Sequence, residues 1–292
     1  MGDRSQIYIR GKFRAGYDLV ALYYQWNYRS HMITRAAQII SRMKDYGEFL
    51  EYYTDLDSFN LSGVADVDLD CNTVEDHIDI KQEAIDYLPP TSTVEEINRR
   101  MFLEQELQNG QLYVDISKDG IKYAFVDEPE DGKILNAKEY LVRFILSSFN
   151  NEGMTVDDPE DWITAYQKDA HTTPERKAEI IKYTTENIKL IEENATLMTP
   201  AELQDFLTCD YNIKPTGKGF FESLYRNLDN PIEIGETFGN HFENYQFRIP
   251  DSTDTDKLKE DILTALKKYR IFDDTSYAEV EADLKAIYDS LL

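Results

Sequence analysis

Hydrophobic and polar positions alternate near the start of the chain, in Gln6-Ile7-Tyr8-Ile9-Arg10, which is the period of a β-strand. Tyr17 to Trp26 is apolar on both faces, as a strand central in a covered sheet must be. The stretch between them, Gly11 to Gly16, has glycine at both ends, so the two strands read as a hairpin. Ser30 can cap the helix that follows, in which Ile33, Ala36, Ala37, Ile40 and Met43 recur at helical spacing while Arg35 and Arg42 mark a second face. Val67, Leu69 and Cys71 then alternate with Asp66, Asp68 and Asp70, predicting a strand with one apolar and one wholly acidic face. Thr93-Val94-Glu95-Glu96 is a capping box opening a helix that runs to about Leu107. Leu112 to Ser117 and Ile121 to Val126 flank Lys118-Asp119-Gly120, a short-loop hairpin.

After the acidic turn Asp127 to Gly132 the pattern becomes helical. Tyr140, Leu141, Phe144 and Ile145 form a stripe, and Asp158-Pro159, Thr173-Pro174 and Thr199-Pro200 each read as a cap followed by proline at the first helical position. Two further helices are predicted near Thr255 to Tyr269 and Ser276 to Leu291. The fold class is therefore α+β: a mixed or antiparallel sheet of about five strands with helices, then an all-helical C-terminal half. A boundary near residue 150 separates an α+β domain, 1–150, from a helical domain, 151–292, with a single fused domain as the alternative.

Composition supports a folded chain, because 20 Tyr, 14 Phe and 2 Trp among 292 residues are far too many aromatics for disorder. Charge adds more. The net charge is −25, yet residues 1–46 carry eight basic residues against three acidic ones, so the remainder is more acidic still, at −30. An excess of this size repels nucleic acid and anionic membrane and attracts basic protein surfaces or cations. Cys71 and Cys209 are too few for a disulfide framework and suit buried thiols in a reducing compartment. No stretch approaches the ~18 apolar residues of a membrane span, and Met1 to Ile7 has no apolar run of signal length, so a soluble, cytoplasmic protein is expected.

Acidic residues are densest between Glu51 and Asp86, where Asp55, Asp57, Asp66, Asp68, Asp70, Glu75 and Asp76 are opposed only by Lys81. Asp66-x-Asp68-x-Asp70 imitates half a calcium loop, but Cys71 stands in place of the turn glycine and His77 in place of the bidentate glutamate. Read as a strand, the three carboxylates lie about 7 Å apart on one face. These seven residues are the candidate contacts for a protein partner with a basic surface. Asp76, His77 and Asp79 are a weaker alternative as divalent-metal ligands, since a metal site needs further His or Asp from elsewhere. No cofactor is expected.

Catalytic patterns are absent from the sequence. There is no G-x-S-x-G, and in Thr216-Gly217-Lys218-Gly219 the upstream glycine of a phosphate loop is Asn212 and the magnesium-binding hydroxyl is replaced by Gly219. The most distinctive string, Tyr23-Tyr24-Gln25-Trp26-Asn27-Tyr28, falls where a central strand runs into a helix. Tyr24, Gln25 and Trp26 with Arg35 and Arg42 form a candidate site for a small anionic, nucleotide-like ligand. In the competing reading Tyr23 and Trp26 are core and the arginines pair internally with the acidic remainder.

The opening Met1-Gly2-Asp3-Arg4-Ser5-Gln6-Ile7-Tyr8-Ile9-Arg10 and the later Tyr23-Tyr24-Gln25-Trp26-Asn27-Tyr28 resemble a group of proteins from Firmicutes, their phages and mobile elements that begin M-G-x-R-S and carry Y-Y-Q-W-N-Y. The resemblance covers roughly the first 45 residues and brings no activity with it. It implies a phage or mobile-element origin. Joined to the charge, it gives the leading expectation: a non-enzymatic acidic interaction protein, an inhibitor of a host defence enzyme acting by nucleic-acid mimicry. The alternative is a binder of, or enzyme acting on, a small nucleotide-like anion. Direct nucleic-acid or membrane binding is not expected, and oligomeric state is not legible.

Overall fold

A computed structural model describes residues 4–13, 16–24, 27–43, 77–105, 109–129, 132–148, 151–169, 172–242, 253–268 and 277–291. The acidic strand expected at Val67 to Cys71, with Asp55, Asp57, Asp66, Asp68, Asp70, Glu75 and Asp76, lies outside the described residues, as do Gln25 and Trp26. The protein is α+β: a mixed sheet with helices in the N-terminal part, and a helical C-terminal half. Two compact units are formed, one by residues 1–81 and 98–212 and the other by 82–97 and 213–292.

The first unit is built on the strands β1 (Ser5–Phe13), β2 (Gly16–Tyr24), β3 (His77–Asp79), β4 (Gln111–Ser117), β5 (Gly120–Val126), β6 (Ile134–Leu135) and β7 (Ala195–Leu197). Their order is β3-β2-β1-β4-β5-β6, with β7 also pairing β5. The β1–β2 and β4–β5 hairpins are antiparallel as expected, with Ile7 opposite Leu22 and Val114 opposite Tyr123. The β1–β4 and β5–β7 pairs are parallel, which makes the sheet mixed. Gly120 closes the second hairpin at φ 121°, a conformation open to glycine and strained for other residues.

Register separates two unlike faces. Ile7, Ile9, Leu22, Leu112, Val114, Ile121 and Phe125 share one face and pack under the helices α1 (Ser30–Met43), α4 (Ala137–Leu146), α5 (Trp162–Lys168) and α6 (Pro174–Asn194), contributing Ile33, Ile40, Tyr140, Trp162 and Ile188 among others. Gln6, Tyr8, Arg10, Gln111, Tyr113 and Asp115 share the other. There Tyr8 stacks on Tyr113 at 5.0 Å and meets Phe102 at 4.9 Å, while Phe206 of α7 (Pro200–Thr208) stands edge-on to Tyr113 at 5.2 Å. Burying this polar face demands partners for each hydroxyl and amide. Tyr8 donates to the Met101 carbonyl at 2.6 Å, Tyr113 to Gln111 Oε1 at 2.5 Å, and Gln111 Nε2 to the Phe102 carbonyl at 2.9 Å.

The second unit holds α2 (Ile80–Tyr87) from Gln82 onward, the start of α3 (Val94–Phe102), and α8 (Lys218–Arg226), α9 (Pro231–Phe242), α10 (Thr255–Lys268) and α11 (Tyr277–Asp289). Phe220, Phe221, Leu224, Phe238, Leu258, Ile262, Val280, Leu284 and Tyr288 form its core. The Ile85 carbonyl accepts from Thr216 N at 2.7 Å, and the Tyr87 ring lies where a Cβ on Gly219 would stand 2.9 Å away.

Local capping follows the sequence closely. Thr93 and Glu96 make the reciprocal bonds of a capping box, and Thr173 and Thr199 cap α6 and α7 with proline next. Asp158-Pro159 does not open a helix. Asp158 Oδ1 accepts from Glu160 N within a turn, and Asp161 caps α5 three residues later through Thr164 N. Helix α3 ends at Phe102, five residues short of the expected Leu107.

Candidate functional site

Of the residues proposed for a small anionic ligand, the fold brings Tyr24 and Arg35 together. Tyr24 ends β2 and Arg35 sits one turn into α1, and the guanidinium lies 4.4 Å from the ring centroid, a cation–π contact. Both are buried, at 4% and 7% exposure. Arg42 is exposed two turns further along the helix. Of the residues in the competing reading, Tyr23 is half-buried and Trp26 lies outside the described residues.

A polar cluster surrounds the β2–α1 junction. Arg29 adopts φ 47°, donates through Nε to the Phe144 carbonyl at 3.3 Å, and holds Asp169 Oδ2 at 3.6 Å. Asp169 is wholly buried and also accepts from Asn151 Nδ2 at 3.0 Å and Thr172 Oγ1 at 3.1 Å. Ser30 is the first residue inside α1, and its hydroxyl is met by Tyr166 at 3.2 Å and Tyr183 at 3.3 Å instead of closing the helix end. Burial, then Arg35 and Arg176, lower the pKa of His31.

Arg10 is the second buried cation, missed from the sequence. Its Nε and Nη2 grip Asp115 at 3.0 and 2.6 Å, and Nη1 reaches Asp205 at 2.9 Å. The side chain is 3% exposed, and its guanidinium carbon lies over the rings of Tyr17 and Phe206, 4.5 and 4.7 Å from their centroids. Burial works against its charge, but the Asp115 bonds and attraction outweigh it and raise the pKa above the ordinary arginine value. The alternation Gln6, Tyr8, Arg10 on a strand with no solvent face was a signal that Arg10 needed an internal partner.

At the weaker metal candidate, β3 sets His77 opposite Tyr24 and Asp79 opposite Leu22 at the edge of the sheet, with Asp79 exposed and Asp76 outside the described residues. Among the described residues no group of three or more His, Cys, Asp or Glu is placed to hold a metal ion. Cys209 is half-buried, and burial raises its thiol pKa despite nearby Arg10. Among the described residues no helix is long and apolar enough to cross a membrane. Comparison with family models, curated proteins and solved structures finds no match to this chain.

Proposed function

We propose that this chain is a non-enzymatic acidic interaction protein that docks on a basic surface of a protein partner and competes there with nucleic acid. One observation carries the reading: Arg10, Arg29 and Arg35 of the basic N-terminal stretch are spent inside the sheet unit, on Asp115 and Asp205, on Asp169, and on the Tyr24 ring. The basic stretch therefore presents less positive charge of its own at the surface than its composition suggests, and since three carboxylates are engaged with the Arg10 and Arg29 guanidinium groups the molecule keeps its net charge of −25 toward a basic partner. In the helical unit, residues 82–97 carry four carboxylates and no basic residue, with Tyr87 51% and Val94 40% exposed. The phage or mobile-element resemblance adds a class of partner, a host defence enzyme that acts on nucleic acid.

The test is capture of partners on the immobilised chain, followed by salt titration and competition with duplex DNA. Affinity should fall at least roughly tenfold between about 0.1 and 0.5 M salt, where screening shortens to a few ångströms. Duplex DNA should displace the partner. A complex that withstands 0.5 M salt, or one that binds DNA and this chain together, overturns the mimicry. Thermal stabilisation by mononucleotides would instead support the small-ligand reading.

A further inference from the structure

We propose that His241 is an acid-sensitive latch of the helical unit: protonation drives its imidazole out of a phenylalanine cluster and opens α8 and α9. The ring ends α9 and lies flat on Phe220, with centroids 3.5 Å apart and planes 7° from parallel. Phe242 stands edge-on at 4.9 Å and Phe221 is tilted at 6.5 Å. Among the described residues Nε2 is buried with no hydrogen-bond partner, so an added proton there would enter an apolar cage with none of them to receive it. Phe220 and Phe221 are themselves core residues, and Phe221 stacks on Tyr277 at 5.0 Å, so expelling the imidazole removes a wall of the aromatic cluster.

Several charged groups on the packed helices are engaged elsewhere. Lys218 and Arg226 of α8 pair with Glu222, Lys259 of α10 with Asp229, Lys268 with Asp283 of α11, and Lys285 with Asp289. Glu281 of α11 is buried beside Thr91 and titrates in the opposite sense, its pKa raised by burial. None of these groups shifts the histidine, whose pKa burial alone pushes down from 6.5 to about 3. Stability from the neutral ring is therefore complete above pH 6.5 and is lost as pH falls toward 3.

The experiment compares the full wild-type chain with H241F, which keeps an aromatic ring but cannot titrate. Pulse-labelled hydrogen exchange, corrected for intrinsic rates, follows residues 218–242 from pH 7 to pH 4, while tryptophan fluorescence reports the sheet unit through Trp162, which is buried there. The opening equilibrium should rise roughly 200-fold more in the wild type than in H241F, with the tryptophan signal unchanged. Equal acid responses of the two chains, or loss of protection only together with the tryptophan signal, overturn the latch. If H241F does not fold, the wild-type imidazole is followed by NMR. Titration near its ordinary value sinks the proposal, whereas a neutral ring that persists below pH 5 and charges only as 218–242 open supports it.

Discussion

In the sheet unit Arg10 is buried against two carboxylates and Asp169 against Arg29, whereas in the helical unit His241 is enclosed by phenylalanine rings and Glu281 by a threonine hydroxyl. A paired group keeps its charge, because attraction and hydrogen bonds replace the water it loses. A group whose burial outweighs its hydrogen bonds shifts toward its neutral form, as His241 and Glu281 do in their opposite directions. The sheet unit thus contains internal ion pairs that turn basic residues of the N-terminal stretch inward onto carboxylates. The helical unit places pH-dependent groups in its core.

Asp115→Ala puts the difference under the greatest strain, since it leaves the Arg10 guanidinium buried without its two-toothed partner. A loss of about 3–5 kcal/mol in urea unfolding is expected. The double variant Arg10→Met, Asp115→Leu should recover most of it, because an apolar pair needs no partner; no recovery would mean the pair does more than compensate itself. Next in size is the acid response of His241: the wild type should lose on the order of 3 kcal/mol of local stability between pH 7 and pH 4 relative to H241F. Asp205→Ala removes the outer carboxylate of the Arg10 pair, which is 62% exposed, and should cost under about 1 kcal/mol by thermal unfolding. A cost equal to that of Asp115 would erase the distinction between inner and outer partner.

Glu281→Gln gives the smallest change and the opposite sign. The folded pKa is raised, so this carboxyl's contribution is full in acid and is lost as pH rises through the folded value. At neutral pH the ionised form is a cost that glutamine removes while keeping an acceptor for Thr91. A gain below about 1 kcal/mol at pH 7 that vanishes near pH 4 is expected from paired urea titrations. Destabilisation at pH 7 would show that the carboxylate has a partner worth more than its desolvation.

Much of the framework was legible because it is local. The alternation of Ile7 and Ile9, the Lys118-Asp119-Gly120 hairpin and the caps at Thr93, Thr173 and Thr199 depend on neighbours within a few residues. The start of α5 was misjudged by three residues because Asp158 and Asp161 are both chemically fit to cap, and a turn at Asp158 took the first carboxylate. Strands β3, β6 and β7 are two or three residues long, too short for any periodicity to appear. Of the candidate ligand residues the strand-to-helix placement was readable, but not that Arg35 would lie buried over Tyr24.

Period, capping and composition were enough to establish an α+β chain with a helical C-terminal half and a large acidic excess, because these follow from spacing and side-chain type alone. Where the charges end up needed the folded chain. The parallel pairing of β1 with β4 carries Asp115 to Arg10 across 105 residues, and α7 brings Asp205 across 195. Such pairs are selected by desolvation: once the sheet is covered on both faces, a buried guanidinium must find carboxylates, and only packing decides which.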